Sequence, residues 1–422
     1  MRLLAGLLWL PMASSLSMAT AAPQNFRKPT KIVRPPRLPV WPAWQGVPLL
    51  FISQLPGPFR GWADRLEDAF GGRVCPIQFD EREADPFILL VHHRHSFRPG
   101  DFLRPLFEKL ILPEGFPAHP HRGFETVTYV LPGRAGLTHR DSEGTKMRYG
   151  NGAVQWMTAG RGMLHEEMWD VDAGVDHELY QLWVNLPPTA KFASPRVQLL
   201  EPHQSDGGDG GGSGPPSAQI FREGSTPVRR ASLVMETLQG GKVTVRYLAR
   251  ADGSGAEGGA ETYSPMEIVH VELTGKDAEH TLTIPDGWTC LVYCRRGAVR
   301  FGGAPAADAA AASPVAASDS EQATTEVAVM HEMAFFPRRG GDSLFLSNAA
   351  DGGRLSDVLV LTGAPIGAPV AASGTMVMNS QAEVSQAMAD YQRGDFGIPW
   401  EHTISDSEWA AQCDAFVAKR GF

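Results

Sequence analysis

Gly115-Phe116-Pro117-Ala118-His119-Pro120-His121-Arg122-Gly123-Phe124-Glu125-Thr126-Val127-Thr128-Tyr129-Val130 decides how this chain reads. His119 and His121 alternate with one intervening residue and lead into a strand-like run, so both side chains leave an extended backbone on the same side. Two imidazoles so placed can meet one metal ion. Further along, Gly160-Arg161-Gly162-Met163-Leu164-His165-Glu166-Glu167-Met168 repeats the device with His165 and Glu167. Either pair alone is commonly a surface or structural feature. Together, each beside turn-forming glycines, they fit a small β-barrel with a mononuclear metal on one wall. Three imidazoles and one carboxylate suit Fe(II), Mn(II), Ni(II), Cu(II) or Zn(II), with geometry deciding among them.

These segments carry a resemblance. The run His119 to Val127 is similar to the signature of the pirin family, whose members are bicupins, and Gln155-Trp156-Met157-Thr158-Ala159 continuing through Met168 is similar as well. Gln181-Leu182-Trp183-Val184-Asn185-Leu186-Pro187 resembles the end of the family's first barrel. Met376-Val377-Met378-Asn379 and Asp390-Tyr391-Gln392-Arg393-Gly394-Asp395-Phe396-Gly397 resemble its tail. The resemblance runs from about Asp85 to Gly397. It implies an all-β fold of two tandem cupin-type double-stranded β-barrels with a short C-terminal helix. It also implies one metal, usually Fe(II), in the first barrel only, held by His119, His121, His165 and Glu167.

The wider cupin pattern, His-x-His followed by three residues and Glu, would choose Glu125 instead, which shares strand parity with His121. The pirin-like motif extends on both sides of Glu167 and favours that residue. Glu125 is then expected to be a buried, hydrogen-bonded carboxylate that orients ligands. One departure stands out. Pirins commonly continue from Asp-Pro-Phe into an acidic stretch, whereas this chain reads Asp85-Pro86-Phe87-Ile88-Leu89-Leu90-Val91-His92-His93-Arg94-His95. These three histidines are expected at the surface or in a loop near the barrel mouth, ahead of a second metal site.

The length of 422 residues suits two domains with extensions. A net charge of -9 and the lack of a long basic run argue against direct nucleic-acid binding. The expected organisation is a targeting leader and Pro-rich basic segment (1–45), a metal-binding cupin barrel (72–200) and a flexible Gly-rich insert (201–220). A second cupin barrel (221–370) and a tail with a helix (371–422) follow. The Pro-rich stretch from Pro29 to Pro42 should be extended and poorly packed. Residues 62–70 read as a short helix, and Gln381 to Gln392 has helical spacing. Gly302 to Thr325 is Ala-rich and reads as a loop. The second barrel lacks a His-x-His, so His270, His280 and His331 are expected to be structural or exposed.

Cys75, Cys290, Cys294 and Cys413 are the only cysteines and are expected to be packing residues. Arg2, an apolar stretch from Leu3 to Met12 and Ala19-Thr20-Ala21 resemble a targeting signal, too short for a membrane span. No acidic residue precedes Asp64, which suits import into a plastid or mitochondrion. Secretion is the runner-up, and a cytosolic or nuclear protein with an inaccurate start is the remaining reading.

Four protein ligands on an octahedral ion leave two positions for substrate or dioxygen. The resemblance therefore implies a quercetin 2,3-dioxygenase-type oxygenase acting on a small aromatic flavonol, with Glu167 or Glu125 accepting a proton. The alternative it implies is a non-enzymatic, iron-dependent redox-responsive protein that binds a protein partner. A monomer is expected in either case.

Overall fold

The computed structural model describes residues 25–39, 73–95, 115–171, 173–202, 218–256, 258–302 and 326–420. The leader, the helix expected at 62–70, and the Gly-rich and Ala-rich stretches at 205–217 and 303–325 lie outside the described residues. No helix among the described residues is long and apolar enough to cross a membrane.

The chain is mostly β-strand, arranged as two cupin-type units, each a larger sheet against a smaller one. In the first unit the larger sheet runs Arg229–Ser232, Arg196–Glu201, Val154–Thr158, Phe124–Val130, His177–Asn185, Phe87–His95, Arg73–Gln78, Leu38–Pro39. The smaller sheet runs Ala218–Arg222, Lys146–Tyr149, Leu137–Asp141, Met163–Trp169, Gly115–His121. Ala218–Arg222 and Arg229–Ser232 thus pair within the first unit, past the point where the Gly-rich insert was expected to hand over to the second barrel. The second unit sets a seven-stranded sheet, centred on Met266–Leu273, Ser356–Gly363 and Thr289–Arg296, against a four-stranded one.

The larger sheets of the two units pack against each other. Strand Phe124–Val130 explains why, because every one of its residues is buried. Val127 and Tyr129 enter a cluster with Leu248, Ile268, Leu291 and Leu361 of the second unit. Val130, on the opposite face, enters the interior of the first unit with Met157, Met163 and Leu179. The period of two therefore separates two buried faces, rather than a buried face from a wet one.

The described part of the N-terminal segment is anchored at Arg27 and Pro29, which are buried. Thr30, Lys31, Val33 and Arg34 stay exposed, as expected of a poorly packed stretch, and residues 40–42 lie outside the described residues. Strand Lys31–Val33 pairs with Glu332–Phe336 of the second unit. The buried Arg27 guanidinium supplies the reason: it donates to the carbonyls of Gly341 (2.8 Å), Trp288 (2.9 Å) and Pro285 (2.8 Å). A buried guanidinium is costly unless its donors are used, so the segment is held down by those bonds.

Two C-terminal helices close the first unit. Gln381–Gln392 begins at Ser380, whose side chain accepts from the Glu383 backbone N–H while the Glu383 carboxylate accepts from the Ser380 hydroxyl. Ser405 and Glu408 repeat this box at the start of Asp406–Arg420. That second helix, not expected from the sequence, buries Trp409, Cys413 and Phe416 on one face. The four cysteines are buried and form no disulfide.

Candidate metal centre

Strand Gly115–His121 ends at the edge of the smaller sheet, and there the chain breaks. Gly123 takes φ +83°, and a Cβ at that position would lie 2.0 Å from the Val377 carbonyl oxygen. The turn is clamped from the tail. Val377 N–H donates to the Arg122 carbonyl (3.0 Å), and Lys191 Nζ donates to the carbonyls of Gly123 (2.8 Å) and Val377 (2.9 Å). Burial lowers the Lys191 ammonium to about 7. Arg122 donates to Asp390 of the first tail helix at 2.6 Å. His121 and Phe124 thus stand at the ends of strands in two different sheets.

Across the sheet His119 lies opposite His165 in register. The three imidazoles of His119, His121 and His165 converge, with ring centroids 4.5 to 4.8 Å apart. One ring nitrogen from each lies within 4.8 Å of the others. His119 Nδ1 is 2.8 Å from the Pro117 carbonyl, an acceptor only, so Nδ1 carries the proton and Nε2 presents a lone pair. That Nε2 is 3.1 Å from His165 Nε2.

Burial drives all three histidines below the ordinary imidazole range, with mutual repulsion adding at His121 and His165. The rings are therefore neutral ligands at physiological pH. Among the described residues, the Nδ1 atoms of buried His121 and His165 have no hydrogen-bond partner. Convergent neutral nitrogens, buried and incompletely partnered, fit a divalent cation.

Glu167 stands beside this trio rather than within its group of mutually close atoms. A register shift between His165 and Glu167 sets Glu167 opposite Phe116, at the far end of Gly115–His121 from His121. Its carboxylate is pinned by donors from elsewhere. Oε1 accepts from Tyr149 OH (2.6 Å) and Thr128 Oγ1 (2.9 Å), and Oε2 accepts from Gln181 Nε2 (2.8 Å). Its charge acts favourably on protonated His119. Burial, then the Glu167 charge, holds the Tyr149 phenol well above its ordinary range, so it remains a donor.

Glu125 is placed elsewhere. It shares a strand face with Val127 and Tyr129, which pack toward the second unit, while Thr128 on the other face reaches Glu167. The parity argument linking it to His121 fails because the Arg122-Gly123 turn interrupts the strand. Glu125 Oε1 accepts from Thr158 Oγ1 at 2.6 Å, the Trp156 indole lies near enough to act on the carboxylate, and burial outweighs both to raise the carboxyl to about 7.

His92, His93 and His95 are all buried, because their strand Phe87–His95 lies inside the larger sheet between Arg73–Gln78 and His177–Asn185. They are not surface or loop residues. His93 and His95 contact Trp169 inside the first unit, whereas His92 faces Tyr180 and Tyr293.

The sequence reading missed His139, fully buried, 5.5 Å from the His165 ring and bonded through Nε2 to Asp141 at 3.1 Å. Its signal was the alternation His139-Arg140-Asp141, which aims both groups at one face. Trp183 was also missed as a wall. Its ring lies 5.7 Å from His121 and 4.6 Å from Phe124.

Residues 71–184 match the family model for Pirin, and residues 268–397 match that for the Pirin C-terminal cupin domain. Pirin-1 of Arabidopsis thaliana is 31% identical over 321 residues, covering 76% of this chain and 86% of that protein. The chain belongs to the pirin family. Pirin of Mus musculus is 30% identical over 322 residues, with 76% and 86% covered. The crystal structure of a quercetin 2,3-dioxygenase from Acinetobacter baumannii superposes with a TM-score of 0.56 at 28% identity, covering 78% of this chain and 94% of that one. The two matched models, one for each unit, agree with the bicupin arrangement of this pirin-family chain.

Proposed function

We propose that this pirin-family protein is a quercetin 2,3-dioxygenase-type oxygenase that works with one mononuclear Fe(II) in its first unit. The observation that carries the reading is the convergence of His119, His121 and His165, with their ring nitrogens within 4.8 Å of one another. His119, His121 and His165 would hold the ion, with Glu167 completing the set. A divalent iron there supplies Lewis acidity and a redox-active centre.

The chain's own residues do the remaining work. Tyr149, Thr128 and Gln181 fix the Glu167 carboxylate and leave Oε2 with one lone pair, since it accepts a single bond. That lone pair is available to coordinate the ion or to accept a proton from a flavonol hydroxyl. Half-buried Trp183, beside His121 and backed by the buried Phe124 ring, offers an apolar face for a flat aromatic ring. His119 is the least buried ring of the trio, which puts the open side of the site along Gly115–His121.

The test is oxygen consumption by iron-loaded protein on adding quercetin, against His119→Ala/His165→Ala. Uptake that disappears in the double variant supports the oxygenase. Bound iron with no uptake refutes it and favours an iron-dependent, redox-responsive binding protein.

A further inference from the structure

We propose that the seam between the two units holds a second metal site, formed by Cys75, His92 and His331 and suited to a thiophilic ion such as Zn(II). Cys75 lies directly opposite His92 in the antiparallel pairing of Arg73–Gln78 with Phe87–His95, so both side chains leave the sheet on one face. That face looks toward the second unit. His331 comes from the second unit, in the turn between Val327–Val329 and Glu332–Phe336. One ligand atom from each residue lies within 4.8 Å of the other two. A tetrahedral ion with arms of ~2.0–2.3 Å has ligand–ligand edges of ~3.3–3.8 Å, so closing the trio needs only about an ångström of adjustment.

The surroundings are those of a ligand set. His92 Nε2 is 3.0 Å from Glu178 Oε1, and Glu178 also meets Arg295 (2.9 Å) and Arg134 (3.2 Å). Burial alone would raise Glu178, but the His92 bond and the Arg295 charge outweigh it and keep it an ionised acceptor. His92 therefore carries its proton on Nε2 and directs the Nδ1 lone pair into the seam. A carboxylate that orients a histidine in this way is the usual support of a metal-bound imidazole.

His331 adopts φ +69°, a left-handed backbone that a histidine adopts only where its surroundings hold it there. Its N–H donates to the Cys294 carbonyl at 2.6 Å, which holds the turn. Between the rings stands Tyr293 OH, 3.0 Å from His92 Nδ1 and 3.2 Å from His331 Nδ1, placed to act as fourth ligand.

Cationic groups among the described residues also act on the cluster. Arg295 acts on His92 but is paired with Glu178 and Asp357, while Arg37 acts on Tyr293. Binding replaces the Cys75 Sγ–H proton and, as Tyr293 takes the fourth position, its O–H proton with the ion and releases both to solvent, so affinity rises with pH. A neighbouring trio, His270, Glu272 and Asp357, is already filled by cations: Arg246 bonds Glu272 and Arg295 bonds Asp357. Zinc in the seam would join ligands from both units and staple them together.

The full chain, stripped with chelator and titrated with Co(II), separates this site from the all-imidazole one. A thiolate-to-cobalt charge-transfer band is expected in the wild type and in His119→Ala/His165→Ala. It should saturate at one equivalent in the double variant and within two equivalents in the wild type, where the all-imidazole site also takes cobalt. It should vanish in Cys75→Ser. His331→Asn, which tolerates the left-handed backbone, should weaken cobalt binding at least tenfold without unfolding the chain. In the His119→Ala/His165→Ala background, which lacks the first site, Zn(II) should raise the melting temperature, and adding Cys75→Ser should abolish that rise. A folded wild type without the band, or a band that survives Cys75→Ser, overturns the proposal.

Discussion

Glu125→Gln isolates the consequence of placing this carboxylate on the face away from the imidazoles. Burial raises the Glu125 carboxyl to about 7 from an ordinary 4.5. The folded chain therefore binds this proton more tightly than the unfolded chain does. The associated stability is fully present below the unfolded value and is lost as pH rises through the folded one. A shift of this size corresponds to roughly 3 kcal/mol at 1.36 kcal/mol per pKa unit. The glutamine side chain keeps an oxygen for the Thr158 hydroxyl, which now bonds Oε1 at 2.6 Å, and carries no titrating proton.

Urea unfolding of both proteins at matched metal loading, from pH 4.5 to 8, should show the wild type losing roughly 3 kcal/mol relative to the variant. Iron content at pH 7 should be unchanged by Glu125→Gln. Parallel stability curves would show that the carboxyl does not titrate abnormally. Loss of iron in the variant would place Glu125 at the metal and refute the two-face assignment of strand Phe124–Val130.

Other perturbations follow from the same geometry. Tyr149→Phe removes the 2.6 Å donor to Glu167 and should lower metal affinity roughly 10- to 100-fold, measured by competition with a chelator. Gly123→Ala forces a Cβ against the Val377 carbonyl at positive φ. It should free the tail, seen as faster limited proteolysis near residue 376, together with weaker metal binding. Because burial holds His121 and His165 well below 6.5, acidification below that value should destabilise the chain relative to its unfolded state. Folded protein should nevertheless keep its metal, checked by metal content after dialysis at pH 6 and pH 5.5.

Much of the architecture was legible because local chemistry and the tertiary result agree. His119 and His121 share a side of one strand, and the expected helix at Gln381 to Gln392 forms with its Ser380 cap. The helix Asp406–Arg420 was legible but overlooked: Ser405 and Glu408 form its capping box and Trp409, Cys413 and Phe416 its apolar face. Glu125 is buried and hydrogen-bonded as expected, but the alternative that tied it to His121 by strand parity fails at Arg122-Gly123, whose tail contacts come from residues 375–377. His92, His93 and His95 read as surface groups because a polar triplet at a strand end usually is one. Only the pairing of that strand on both sides, and the second unit beyond it, buries them.

The most direct test of the central claim is the iron stoichiometry of anaerobically reconstituted protein, wild type against His119→Ala/His165→Ala, with folding checked by circular dichroism. The account predicts one iron per chain in the wild type and none in the folded double variant. Full iron occupancy in that variant would contradict it.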